Sequence, residues 1–171
     1  MEPTFSKPDL PRYTKRPFPT CRYLPSQAGD RHPHPRKDPG EDSCAWETLP
    51  LKRFTPDDWR ICEPYLYGID LFNHGYWWEA HEIFETVWLA AGQRSTVCGQ
   101  FVQGLIQLAA AQLKRLIEEP RGAQSLTQAG IEKLSQVEGI YLGIEVAPLI
   151  VDVQRCLHED RGEFPRIELH F

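Results

Sequence analysis

The chain has 171 residues, with 19 lysines and arginines against 24 acidic residues and a net charge of −5. That length suits one domain with a core of its own. The weak acidity, with no basic run longer than two residues, excludes nucleic acid and anionic membranes as expected partners.

Other exclusions come from patterning. No apolar window approaches the length of a membrane span, and the N-terminus lacks the charged-then-apolar order of a signal peptide. Cys21, Cys44, Cys62, Cys98 and Cys156 are odd in number, widely spaced and without a CxxC pair. They fit reduced thiols and a cytoplasmic location rather than a disulfide or zinc framework.

Residues 1–53 hold ten of the fifteen prolines, a density that forbids regular helix. Tyr13, Phe18, Tyr23, Leu24 and Trp46 are unusual in a disordered tail, so the segment reads as an extended arm wrapped on the body. Residues from about Tyr13 to Trp46 are expected to pack along that body, partly over the face of Trp78, His81 and Glu85. The arm would then be a lid or wall, with His32 or His34 turned toward the site.

The helical body, residues 54–161, is expected to begin near Thr55. Thr55-Pro56-Asp57-Asp58 supplies a capping hydroxyl, a first-turn proline and two acids. Pro64 should restart or kink this first helix, and Asn73-His74-Gly75 should end it. A second helix spans about Tyr76 to Ala91 and stops at Gly92. A third, from about Ser95 to Glu118 with Ser95 as its cap, is apolar nearly all round and belongs in the middle of a bundle. Pro120 and Gly122 should close it.

A fourth helix is predicted from about Gly122 to Tyr141 and a fifth from about Val146 to Glu159, hinged at Gly139 and Gly143. Residues 162–171 alternate weakly and read as a short extended tail. With no internal repeat and no strand–helix alternation, the fold class is all-α, an irregular array of about five helices.

The second helix carries the chemistry. At about 100° per residue, Tyr76, Ala80, Ile83, Phe84 and Val87 form an apolar stripe. Trp78, His81, Glu82, Glu85, Trp88 and Leu89 gather opposite. A buried helix face rarely carries two glutamates and a histidine, and an exposed one rarely spends two tryptophans. On the third helix Gln100, Gln103, Gln107 and Lys114 form a polar stripe whose buried amides need partners. Gln103 or Gln107 is therefore expected to contact His81, Glu82 or Glu85 directly or through one water. Trp78, Trp88, Gln103, Gln107 and, from the preceding turn, Asn73 are the candidate ligand-binding residues.

The stretch Leu71 to Glu82, followed by Glu85, Trp88 and Gln103-Gly104-Leu105-Ile106-Gln107, resembles the family known as domain of unknown function 309. The resemblance covers about residues 60–155 and rests on FNxGxYWEAHExxE, a tryptophan and QGLIQxAAA. It implies a small irregular helical array with no assigned activity. It also implies a proline-rich arm with a Tyr-x-Pro and His-Pro pattern, similar to Tyr23–Pro35. The Gly-His-Ser expected to follow is replaced by Gly40-Glu41-Asp42-Ser43, so a ligand role for that histidine is absent.

Three kinds of chemistry fit these residues. His81 and Glu85, one turn apart, can share a metal. Glu82, His74, His158 or His34 can supply a third ligand. A carboxylate-rich set favours Mn, Fe or Mg over structural Zn. Without metal, His81, Glu82 and Glu85 can act as catalytic acids and bases on a small molecule. Of two glutamates in a dry pocket, one should carry a raised pKa. No nucleophile is evident, since Cys98 and Ser95 have no motif around them. The alternatives are a non-catalytic binding module walled by Trp77, Trp78 and Trp88, or a buried polar network that only fixes helix register.

Overall fold

The computed structural model describes residues 10–20, 22–24, 50–158 and 163–171. His32, His34 and Trp46, named above for the arm, lie outside these residues. Helix α1 runs Glu63–Asn73, α2 Trp77–Ala90, α3 Val97–Leu116, α4 Pro120–Leu134 and α5 Val146–His158. All-α is therefore the fold class, with five α-helices and a two-stranded hairpin among the described residues. None of these helices is long and apolar enough to cross a membrane.

The first helix begins later than predicted. Residues 56–61 form turns closed by i to i+3 bonds, the Asp58 N–H donating to the Thr55 carbonyl at 3.0 Å and the Ile61 N–H to the Asp58 carbonyl at 3.1 Å. The Asp58 carboxylate accepts the N–H and hydroxyl of Thr55. Pro64 then opens α1 instead of kinking it, where its missing N–H has no helical partner to lose. Gly75, in the left-handed region at φ 78°, turns the chain directly into α2. The two helices are neighbours, as the short connection requires.

Helix α3 lies between α2 and α4 and buries most of its length. Its cap is Thr96, not the predicted Ser95: the Thr96 hydroxyl accepts from Gly99 N–H at 2.9 Å, while Ser95 belongs to a 3-10 turn, Gln93–Ser95. That turn folds back so tightly that a Cβ on Gly99 would lie 1.8 Å from the Gln93 carbonyl oxygen. Small residues also bring α3 against α4. A Cβ on Gly104 would stand 3.1 Å from the Gly130 carbonyl, and one on Gly130 the same distance from the Gly104 carbonyl.

Pro120 starts α4 in its first turn where the sequence suggested only a terminator. The helix stops at Leu134 rather than near Tyr141, and a hairpin takes the remaining length. Ile140–Tyr141 (β1) pairs antiparallel with Ile144–Glu145 (β2). Leu142 and Gly143 both have positive φ, the backbone a two-residue turn between right-twisted strands demands. The tail alternates as expected, with Ile167 and Leu169 buried between exposed neighbours and Leu169 bridging to Ile144.

Residues 10–20 and 22–24 lack regular secondary structure and lie against α1 and the start of α2. The Tyr67 hydroxyl donates to the Pro17 carbonyl at 2.8 Å. Phe18 stacks on Tyr76, with ring centres 5.0 Å apart. Tyr13 joins both ends of the chain to α1: its backbone N–H reaches Asp70, and its hydroxyl accepts from Leu169 N–H at 2.9 Å. Cys62, Cys98 and Cys156 are buried free thiols, and Cys21 and Cys44 lie outside the described residues.

Candidate metal centre

Helix α2 is positioned by its apolar stripe. Ala80, Ile83, Phe84 and Val87 are all in the core, so the side chains a third of a turn away must face outward or into the helix edge. That geometry brings His81, Glu82 and Glu85 together. Nδ1 of His81 is 3.4 Å from Glu82 Oε1 and Nε2 is 3.9 Å from Glu85 Oε1, and Nδ1 is buried with no hydrogen-bond partner among the described residues. One donor atom from each of the three residues lies within 4.8 Å of the others. Among the described residues His74 and His158 do not join this group and Glu82 does, while His34 lies outside them.

The cluster is graded in exposure. The Glu82 side chain is 4% exposed, His81 23% and Glu85 37%, so solvent reaches the imidazole and the outer carboxylate. Trp78 lies parallel to His81, ring centres 5.8 Å apart and planes 17° from parallel. Trp88 is half-buried against the core edge, and its indole N–H has no hydrogen-bond partner among the described residues. Leu89, predicted on this face, is exposed. Trp77 does not wall the site: it is buried in the core, 4.5 Å from the Phe164 ring of the tail.

The amide stripe of α3 makes no direct hydrogen bond to the cluster among the described residues. Among the described residues no hydrogen bond joins Gln103 or Gln107 to His81, Glu82 or Glu85, and the buried Gln107 carbonyl oxygen has no partner. Other members of the stripe bond close to home. Gln100 donates to the Arg94 carbonyl at 3.2 Å, and Lys114 pairs with Glu119 at 2.6 Å. Asn73 is committed elsewhere, since its amide donates to the Ile167 carbonyl and accepts from Ile167 N–H, each at 2.8 Å.

Glu79 lies off both faces of α2 that the sequence singles out, yet it is buried, as Glu82 is. Burial pushes its pKa up to about 7, against the N–H of Tyr23 and the charge of Arg22, which act to lower it, with Glu82 adding a small rise. The Tyr23 N–H donates to Glu79 Oε1 at 2.7 Å, while Oε2 is buried with no hydrogen-bond partner among the described residues. A raised pKa is thus found at Glu79, a third glutamate beside the pair named from the sequence. The available signal was the spacing of Glu79 and Glu82, three apart and therefore neighbours on one side of α2.

No curated protein matches this chain. The resemblance carried by the motif holds for a defined segment: residues 65–126, which run from α1 into α4 and contain the whole cluster, match the family model described as Domain of unknown function (DUF309).

Proposed function

We propose that His81, Glu82 and Glu85 hold a divalent cation and that the site performs metal-assisted acid/base chemistry on a small molecule. The observation that carries this reading is the convergence of one nitrogen and two carboxylate donors within 4.8 Å on one helix face. One imidazole with two carboxylates suits Mn, Fe or Mg better than a closed, thiolate-rich zinc site. Three protein ligands leave coordination positions free, and a cation there would acidify a bound water or polarise a substrate oxygen. Trp78 and Trp88 supply the aromatic surface a small ligand would lie against.

Solvent access supports a working site over a sealed network. A network that only set helix register would need neither an exposed imidazole edge nor an exposed Glu85. Elemental analysis of protein purified without a histidine tag, followed by Mn²⁺ titration monitored by electron paramagnetic resonance, tests the reading. One saturable site in the wild type, weakened tenfold or more in His81→Ala and Glu85→Ala, is expected. Absence of bound metal together with absence of saturable Mn²⁺ binding would overturn it.

A further inference from the structure

We infer that Tyr23, more than fifty residues away in sequence, is a positioning residue for the His81 site, holding the imidazole in place through Trp78. The inference deepens the proposed function and rests on it for its metal-binding consequence only. Its basis is a chain of contacts in one direction. The backbone N–H of Tyr23 is anchored on Glu79, at 2.7 Å from Oε1. Its ring packs on the Trp78 indole, with centres 4.8 Å apart and planes at 59°. That indole in turn lies nearly parallel to the His81 imidazole at 5.8 Å.

Each contact removes a freedom the site would otherwise have. An imidazole on a helix surface has broad, soft rotation about its second side-chain torsion. In this site the ring must hold the orientation that keeps one nitrogen near both carboxylates, with Nδ1 3.4 Å from Glu82 and Nε2 3.9 Å from Glu85. A flat indole along one side fixes the ring plane, but Trp78 is itself only half-buried and needs a support. Tyr23 supplies it, and the Glu79 anchor fixes where Tyr23 stands. Positioning of a ligand by the residues around it commonly changes metal affinity by one to two orders of magnitude.

The test uses the full chain and two readouts. The first is the Hε1 proton resonance of His81, whose shift reports its place beside the Trp78 ring; the second is Mn²⁺ affinity. Tyr23→Phe keeps the ring and the N–H, and should leave both readouts at wild-type values. Tyr23→Ala should move the His81 resonance toward the position of a free histidine and weaken Mn²⁺ binding about tenfold. Tyr23→Leu keeps an apolar side chain without the ring, and should give the same displacement if the alanine variant does not fold.

The two readings fail separately. A wild type that binds no Mn²⁺ sinks the metal site, while the resonance still decides the role of Tyr23. An unmoved His81 resonance in folded Tyr23→Ala or Tyr23→Leu overturns the positioning role, whatever the metal does. Equal displacement in Tyr23→Phe would overturn it as well, because the ring would then not be the agent.

Discussion

The backbone N–H of Tyr13 lies 2.7 Å from Oδ1 of Asp70, a carboxylate with no exposed surface in the middle of α1. Thr14 adds its N–H and hydroxyl to Oδ2, at 2.9 and 2.7 Å, and the Arg12 guanidinium stands 3.2 Å from the same oxygen. Three consecutive residues from the N-terminal side thus satisfy one buried anion. An ionised carboxylate out of water is tolerable only when paired and hydrogen-bonded, so segment and helix depend on each other. Asp70→Ala leaves two N–H groups, the Thr14 hydroxyl and the solvent-accessible Arg12 guanidinium without their acceptor. We expect a loss of about 1–3 kcal/mol, the usual cost of leaving part-buried donors unsatisfied. Urea denaturation measures it, and tryptic cleavage at Arg12 and Arg22 should accelerate in parallel. Unchanged cleavage would mean that Asp70 does not hold the segment.

Asn73 plays the same part for the other end of the chain. Its side-chain amide exchanges two hydrogen bonds with the main chain of Ile167, each 2.8 Å long. The arrangement copies one rung of an antiparallel ladder where no strand is available. Asn73→Ala removes both bonds at once and should destabilise by about 1–3 kcal/mol. Hydrogen exchange locates the effect: the Ile167 and Leu169 amides should lose protection while those of α3 keep it. Asn73→Asp retains the acceptor but not the donor, and should fall between.

How much of this was legible depends on how far each signal reaches along the chain. The period of α2 placed His81, Glu82 and Glu85 on one face, because only local geometry is involved. Glu79 escaped, because what buries it includes Tyr23, a residue that no helical period connects to it. Asn73 looked like a site residue for the same reason, since its partner is 94 positions away. The predicted amide contacts from Gln103 and Gln107 assumed that α3 turns its polar stripe to α2. The helix puts Phe101, Leu105 and Leu108 into the core and meets α4 closely at Gly104 and Gly130. Pro120 was read as a stop, when proline in a first turn is equally a start. The hairpin of four paired residues was too short to show a strand period.

Gly99 offers a test in which local and tertiary preferences oppose each other. Alanine is favoured over glycine inside a helix by about 1 kcal/mol. At Gly99 the added Cβ would meet the Gln93 carbonyl oxygen at 1.8 Å and its carbon at 2.7 Å, both rigid backbone atoms. Overpacking of this kind costs about 1–3 kcal/mol or more, so Gly99→Ala should destabilise by about 2 kcal/mol despite its propensity. Gly122→Ala is the control, since its Cβ would meet only the flexible Lys114 and Glu119 side chains, at an ordinary 3.4 and 3.6 Å. It should be neutral or stabilise by about 0.5–1 kcal/mol. Thermal and urea unfolding of both variants decide the matter, and a stable Gly99→Ala would show that the 3-10 turn yields.

His74 sets a pH dependence whose sign follows from its surroundings. Burial lowers its pKa below the usual 6.5, and the guanidinium groups of Arg12, Arg22 and Arg166 lower it further, against the opposing charge of Asp70. Phe18 covers the ring at 4.7 Å, and Nε2 is buried with no hydrogen-bond partner among the described residues. The folded chain therefore resists a proton that the unfolded chain accepts near pH 6.5. Wherever the unfolded state binds more protons, stability rises with pH. The contribution of His74 is thus complete above pH 6.5 and is lost as pH falls through its lower folded pKa. Carboxylates lose stability in the same direction, so the comparison must be a difference. Between pH 7 and pH 5 the wild type should lose more stability in urea than His74→Gln, which has nothing to protonate. Parallel profiles for the two proteins would mean that His74 takes up its proton as readily in the fold as outside it.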